Sequence, residues 1–154
     1  MEPFAIYELD GFRAGKLALC RQPNKPRDFD QIAKWQPTVV VTHTQEVEFP
    51  EIDPSLPMHF LKAEYEWLHL PIIDFGAPDI SDWGDSLKDL LKTLNFGGRI
   101  LAHCKGGQGR SGMLLLKLLV AQGEPPESAL ARIRAVRQNA VETDEQYNWA
   151  IKPL

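Results

Sequence analysis

The stretch ILAHCKGGQGRSGMLLL, residues 100–116, runs from an apolar strand through a glycine-rich turn into an apolar helix. Gly112 to Gln122 is apolar nearly all round, which predicts a helix buried in the core rather than laid on a surface. Arg99 to His103 is the strand that feeds it. Cys104 therefore stands just past the carboxyl end of a strand and just before a helix, which is where open α/β sheets place their sites.

The rest of the chain repeats this rhythm. Ala5–Leu9 and Lys16–Cys20 read as short strands around the turn Asp10-Gly11, Asp28–Trp35 as a short helix, and Thr38–Thr42 as a buried β-branched strand. Glu46–Pro57 holds three prolines and several acids and reads as a loop, with at most a short helical piece after Pro54. Trp67–Ile73 reads as another strand. Trp83, Leu87, Leu90, Leu91 and Leu94 mark one face of a helix, with Asp79 or Ser81 as its N-cap and Gly97-Gly98 as its stop. Leu130, Ile133, Val136 and Ala140 line a further helix, and a last one spans about Thr143 to Ile151. The predicted fold is α/β, a central, mostly parallel sheet flanked by helices, with residues 1–154 forming a single domain.

Composition excludes several classes. A chain of 154 residues with 44% hydrophobic and 25% charged residues has the balance of a globular domain with a proper core. Its net charge of −4 argues against nucleic acid or an anionic membrane as a general partner. Cys20 and Cys104 do not make a disulfide framework, and no Cys/His cluster has zinc spacing. The first residues lack a secretory signal pattern, and the apolar run Met113–Ala121 is too short to span a bilayer. The expectation is a cytoplasmic protein with reduced thiols, no metal, no other cofactor, no nucleic-acid partner and no membrane insertion. The oligomeric state stays open.

Two signatures overlap in the glycine loop. Gly107-x-Gly109-x-x-Gly112 fits a dinucleotide fingerprint, but the following helix leads through Gly-Glu-Pro-Pro into another helix, not into a strand ending in an acid. A Walker-type loop also fails, since no Gly-Lys-Ser/Thr follows. The second signature is Cys104 and Arg110 bracketing five residues. A phosphate dianion needs a cradle of backbone N–H groups, and Gly106, Gly107 and Gly109 give the chain freedom to curl into one, flanked by Lys105 and Gln108. The helix start adds its positive end, and Arg110 adds a planar fork for two phosphate oxygens. Such fields favour a cysteine's thiolate. Ser111 can set a hydroxyl beside the sulfur.

HCKGGQGRSG, His103 to Gly112, resembles the H-C-x-x-G-x-G-R-S/T-G signature of the protein tyrosine phosphatase superfamily. The small size points to its dual-specificity branch, and the stretch from Pro71 to Asp79, PIIDFGAPD, resembles the kinase-associated phosphatase type. The match runs from about Leu70 to Trp149; before that, only the order of elements agrees. The resemblance implies a metal-independent phosphomonoesterase. Cys104 attacks phosphorus, Arg110 and the loop amides stabilise the transition state, and an acid protonates the leaving oxygen. Asp74, read as ending a strand ahead of a Gly/Pro loop, is the candidate acid, with Asp79 as its competitor.

The resemblance also implies that His103 holds the loop rather than carrying protons. Gln146 resembles a water-positioning glutamine, but Thr143-x-x-Gln146 is equally a capping box, and both readings stand. Glu142 falls where some relatives carry a second glutamine, so an acid there departs from the pattern. Relatives that hydrolyse 3-phosphoinositides carry lysines at the positions of Lys105 and Gln108, and only one is basic here. Arg132, Arg134 and Arg137 read as a solvated helix face, and Cys20 as a small buried hydrophobe. His43, His59 and His69 have no ligand spacing. Trp35, Trp67, Trp83 and Trp149 read as core or cleft residues. The expected partner is a phosphorylated protein or peptide, carrying phosphotyrosine or phosphoserine/threonine. The alternatives are a phosphoinositide or other small phosphoester, or a non-catalytic phosphate-binding scaffold.

Overall fold

The computed structural model describes residues 2–10, 14–51, 55–78 and 83–154. Among these residues, five strands form one sheet in the order β1-β2-β5-β3-β4. They are β1 (Tyr7–Glu8), β2 (Lys16–Arg21), β3 (Val39–Thr42), β4 (Glu66–His69) and β5 (Arg99–Cys104). Among the described residues, only β1 runs antiparallel to its neighbour. Helices α1 (Pro26–Trp35), α2 (Leu56–Leu61), α3 (Gly84–Asn95), α4 (Gly109–Ala121), α5 (Pro126–Val136) and α6 (Asp144–Ile151) flank it.

The central strands are buried on both faces, so their side chains alternate between two cores. Leu17, Leu19, Val39, Val41, Ile100 and Ala102 pack on one side with residues of α3, α4, α5 and α6. Ala18, Cys20, Val40 and Leu101 pack on the other with Ile32, Leu56 and Phe60. Helix α4 is buried from Gly109 to Leu119, as its apolar circumference requires. Even Lys117 is 1% exposed, and its ammonium donates to Trp149 O at 3.1 Å and Lys152 O at 2.6 Å.

Several sequence expectations shift. The first strand covers only Tyr7–Glu8. The acidic stretch after β3 is not a plain loop: Glu46–Glu51 is a 3-10 helix, started where Gln45 N–H donates to the Glu48 carboxylate at 2.7 Å. The strand expected over Trp67–Ile73 ends at His69, because Pro71 has no N–H to continue the ladder. Leu70 and Ile72 still donate to Thr42 O and His43 O, each at 2.9 Å. Asp74 therefore lies in a loop beyond the sheet, not at a strand end. Helix α4 starts at Gly109, inside the glycine loop, and α5 stops before Ala140. Asp79 and Ser81 lie outside the described residues. Among those described, no helix is long and apolar enough to cross a membrane.

Candidate active site

β5 delivers Cys104 to the carboxyl edge of the sheet between β2 and β3, with Arg21 opposite it and Thr42 opposite His103. The loop that follows curls against the end of β2. Gly107 has a φ of 71°, and a Cβ there would collide with the backbone of Cys20 and Arg21, so only glycine fits.

The loop's carbonyls show which way it faces. Lys105 O accepts from Gln22 N–H at 3.1 Å. Gly106 O and Gly107 O accept from Arg137, at 2.8 and 3.2 Å. Gln108 O accepts from Gly112 N–H at 3.0 Å and Val141 N–H at 3.2 Å. Each carbonyl is held by the surrounding structure. A trans-planar peptide points its N–H opposite to its C=O, so the amides of residues 106 to 109 turn to the concave side. That is an anion cradle.

Arg137 is thus not the solvated residue expected of it. It is buried, lies over the Tyr7 ring with its guanidinium carbon 4.6 Å from the centroid, and pairs with Glu2 at 2.5 Å. It clamps the cradle from behind. Arg134 likewise donates to Ala140 O and Val141 O, each at 2.9 Å, and Arg132 to Asp10 O. A helical-face reading of the sequence could not see these bonds, because all three arginines reach backbone carbonyls outside their own helix.

Arg110 is 1% exposed. Its Nη1 donates to Glu48 at 2.8 Å and Ile72 O at 3.0 Å, and its Nη2 to Glu48 at 3.0 Å. Asp74 lies 3.3 Å from Nη2. Among the described residues Nε has no partner, although it is buried. Such an orphaned donor is costly unless an incoming group takes it. Glu48, which sequence reading missed, presents a bidentate carboxylate that fixes the fork. Burial acts to raise the Glu48 pKa, but the Arg110 hydrogen bond, the Gln45 amide and the charges of Arg110 and Lys105 outweigh it and hold it below the usual value.

Cys104 Sγ and Ser111 Oγ are 3.3 Å apart. His103 lies beneath them, its Nε2 2.6 Å from Thr42 Oγ1, which also accepts from the Trp67 indole at 2.8 Å. Burial, then the neighbouring His43, pushes the His103 pKa down to about 3, so the ring is neutral at pH 7 and carries no proton to the site. Cys20 pairs with His103 across the strands, and burial pushes its thiol up. Among the described residues no group of three or more His, Cys, Asp or Glu side chains could hold a metal.

The loop after β4 brings Asp74 to Arg110. Asp74 is half exposed, and its Oδ1 accepts from Phe75 N–H at 3.0 Å. Thr143 Oγ1 donates to Phe75 O and Gln146 Nε2 to Gly76 O, both at 3.2 Å. Gln146 is fully buried, and its Oε1 accepts from Glu142 N–H at 2.9 Å. Thr143 caps α6 by accepting from Gln146 N–H, yet the Gln146 side chain does not return to the Thr143 amide, so only half of a capping box forms. Lys105 and Gly106 are exposed at the rim, and Gln108 is half-buried.

A family model described as "PTP-SAK: Swiss Army Knife protein, DSP-PTPase phosphatase domain" matches residues 12–150. Human "Cyclin-dependent kinase inhibitor 3" is 36% identical over 84 residues, which are 53% of this chain and 40% of that protein. The chain thus matches well under half the length of this curated relative. A crystal structure of kinase-associated phosphatase, with its catalytic cysteine replaced by serine, superposes with a TM-score of 0.82 at 24% identity, covering 97% of this chain and 93% of the other. The crystal structure of Tk-PTP in its active form gives 0.72 at 29% identity, covering 95% of each chain.

Proposed function

The chain belongs to the DSP-PTPase phosphatase-domain family, a family of hydrolases, and we propose that it removes phosphate from phosphorylated proteins through a phosphocysteine intermediate on Cys104. One observation carries the reading: a buried Arg110, whose Nε has no partner among the described residues, stands on the same loop as a cysteine in contact with Ser111. The substrate's phosphoryl oxygens would take that Nε and the inward amides of the cradle.

Cys104 Sγ then attacks phosphorus. The S–P bond forms, the P–O ester bond breaks, and Asp74 gives its proton to the leaving oxygen. In the second step Asp74 takes a proton from water as the water attacks phosphorus. The S–P bond breaks, and the Ser111 hydroxyl donates to the departing sulfur. Arg110 stays fixed by Glu48 through both steps, so charge stabilisation needs no rearrangement. Gln146 supports the acid loop through Gly76 O.

A half-exposed Asp74 on a surface loop fits a cleft that admits phosphoserine and phosphothreonine as well as phosphotyrosine. The test is hydrolysis of an aryl phosphate and of phosphopeptides in EDTA, beside a phosphoinositide panel. Turnover should persist without metal, be blocked by vanadate, and fall at least about a thousandfold in Cys104→Ser. Full activity of that variant, or a metal requirement, would refute the mechanism. A preference for phosphoinositides over phosphopeptides would refute the substrate class.

A further inference from the structure

The concave side of the cradle already holds an anion. Gln108 O turns outward to Gly112 N–H and Val141 N–H, so Gly109 N–H faces inward. The carboxylate of Glu142 accepts it. The approach is so close that a Cβ on Gly109 would collide with Glu142 Oε1 and lie 3.0 Å from its Cδ. Glu142 does not hang there loosely. Val141, before it, has a φ of 62°, a strained left-handed conformation for a β-branched residue. Bonds on both sides hold that strain in place: Arg134 Nη2 donates to Val141 O at 2.9 Å, and Glu142 N–H donates to Gln146 Oε1 at 2.9 Å.

We propose that Glu142 is a built-in competitor for the phosphate cradle, an affinity-setting residue that occupies the Gly109 amide until a phosphoryl dianion displaces it. This rests on the cradle being the phosphoryl site. A dianion and an ionised Glu142 repel each other across a few ångströms, so ionised Glu142 weakens the hold on substrate and product phosphate alike. Protonation of Glu142 relieves the repulsion. The groups facing it are Asp74 from the acid loop, Arg110 and the Gly109 amide from α4, and the uncharged Gln146 from α6. Burial, followed by the charge of Asp74, raises the Glu142 pKa against the opposing pull of the Gly109 amide and Arg110. Glu142 therefore gives up the cradle at milder acidity than an ordinary glutamate would.

Sulfate tests this without turnover, because it stays a dianion from pH 4.5 to 8. Calorimetric titration of wild type and Glu142→Gln should show the variant binding sulfate about tenfold more tightly at pH 7.5, with the gap closing towards pH 4.5. Equal affinities at pH 7.5, or a gap that ignores pH, would overturn the role of Glu142 and leave the cradle standing. Failure of both proteins to bind sulfate at any pH would overturn the cradle itself, and the competitor with it.

Discussion

The cradle and the Asp74 loop meet at Arg110 and are built in opposite ways. The cradle is part of the core: Cys104, Arg110 and Ser111 are 3%, 1% and 0% exposed, and the carbonyls of residues 105 to 108 all have partners. The acid loop lies outside it. Ile73 and Phe75 are 64% and 56% exposed, and Thr143 and Gln146 reach the loop by single bonds. The Cys104 loop is thus built into the fold, while Asp74, the proposed proton donor, sits on an exposed segment held by few bonds. Mutations should therefore separate into two kinds.

Asp74→Asn should have a large effect on rate and little on stability. Loss of general acid catalysis should lower kcat by about 10²–10⁴-fold for alkyl phosphates, less for a good aryl leaving group, and change the pH–rate profile. Asp74 is half exposed, so its pair with Arg110 contributes no more than about 1 kcal/mol and the urea midpoint should move little. An Asp74→Asn protein that keeps its kcat would remove Asp74 from the mechanism and dissolve the contrast.

Arg137→Met should do the reverse. It strips Gly106 O and Gly107 O of their donor and leaves Glu2 unpaired, which should cost about 2–4 kcal/mol in urea unfolding at unchanged m. KM should rise as the cradle loosens. If the variant lost kcat alone at full stability, the clamp would not be structural.

A further handle on the same contrast is the pH dependence of stability. Burial lowers His43 to about 4 and His103 to about 3. Both are depressed below the ordinary histidine value of ~6.5, so the unfolded chain binds more protons below that pH. Their contribution is fully present above pH ~6.5 and is lost progressively as the pH falls through about 4 towards about 3. His103→Asn should flatten the slope of urea midpoint against pH in that window. An unchanged slope would mean that His103 is not held neutral.

Much of this was legible in the sequence where local pattern and chemistry coincide. The buried character of α4 follows from its unbroken apolar circumference, and Cys104, Arg110 and Ser111 share one loop and one helix start. What escaped was long-range. Glu48 meets Arg110 across 62 positions, and nothing local marks it among the acids around it. Arg137 reads as polar surface until Gly106, Gly107 and Glu2 are seen against it. The end of β4 was misjudged because Leu70 and Ile72 look like strand residues, and both indeed donate to the neighbouring segment, but Pro71 between them breaks the ladder. Asp74 lies 3.3 Å from Arg110, yet the same error set it on a strand end instead of a loop.

Lys117 joins two helices that sequence keeps apart. Its ammonium, rising from α4, satisfies carbonyls at the end of α6. A buried charge of this kind cannot lose its acceptors cheaply. Fraying of the last turn of α6 would therefore strand a cation inside the helix that bears Arg110. In the language of hydrogen exchange, the last turn of α6 should be protected together with α4 rather than fray by itself.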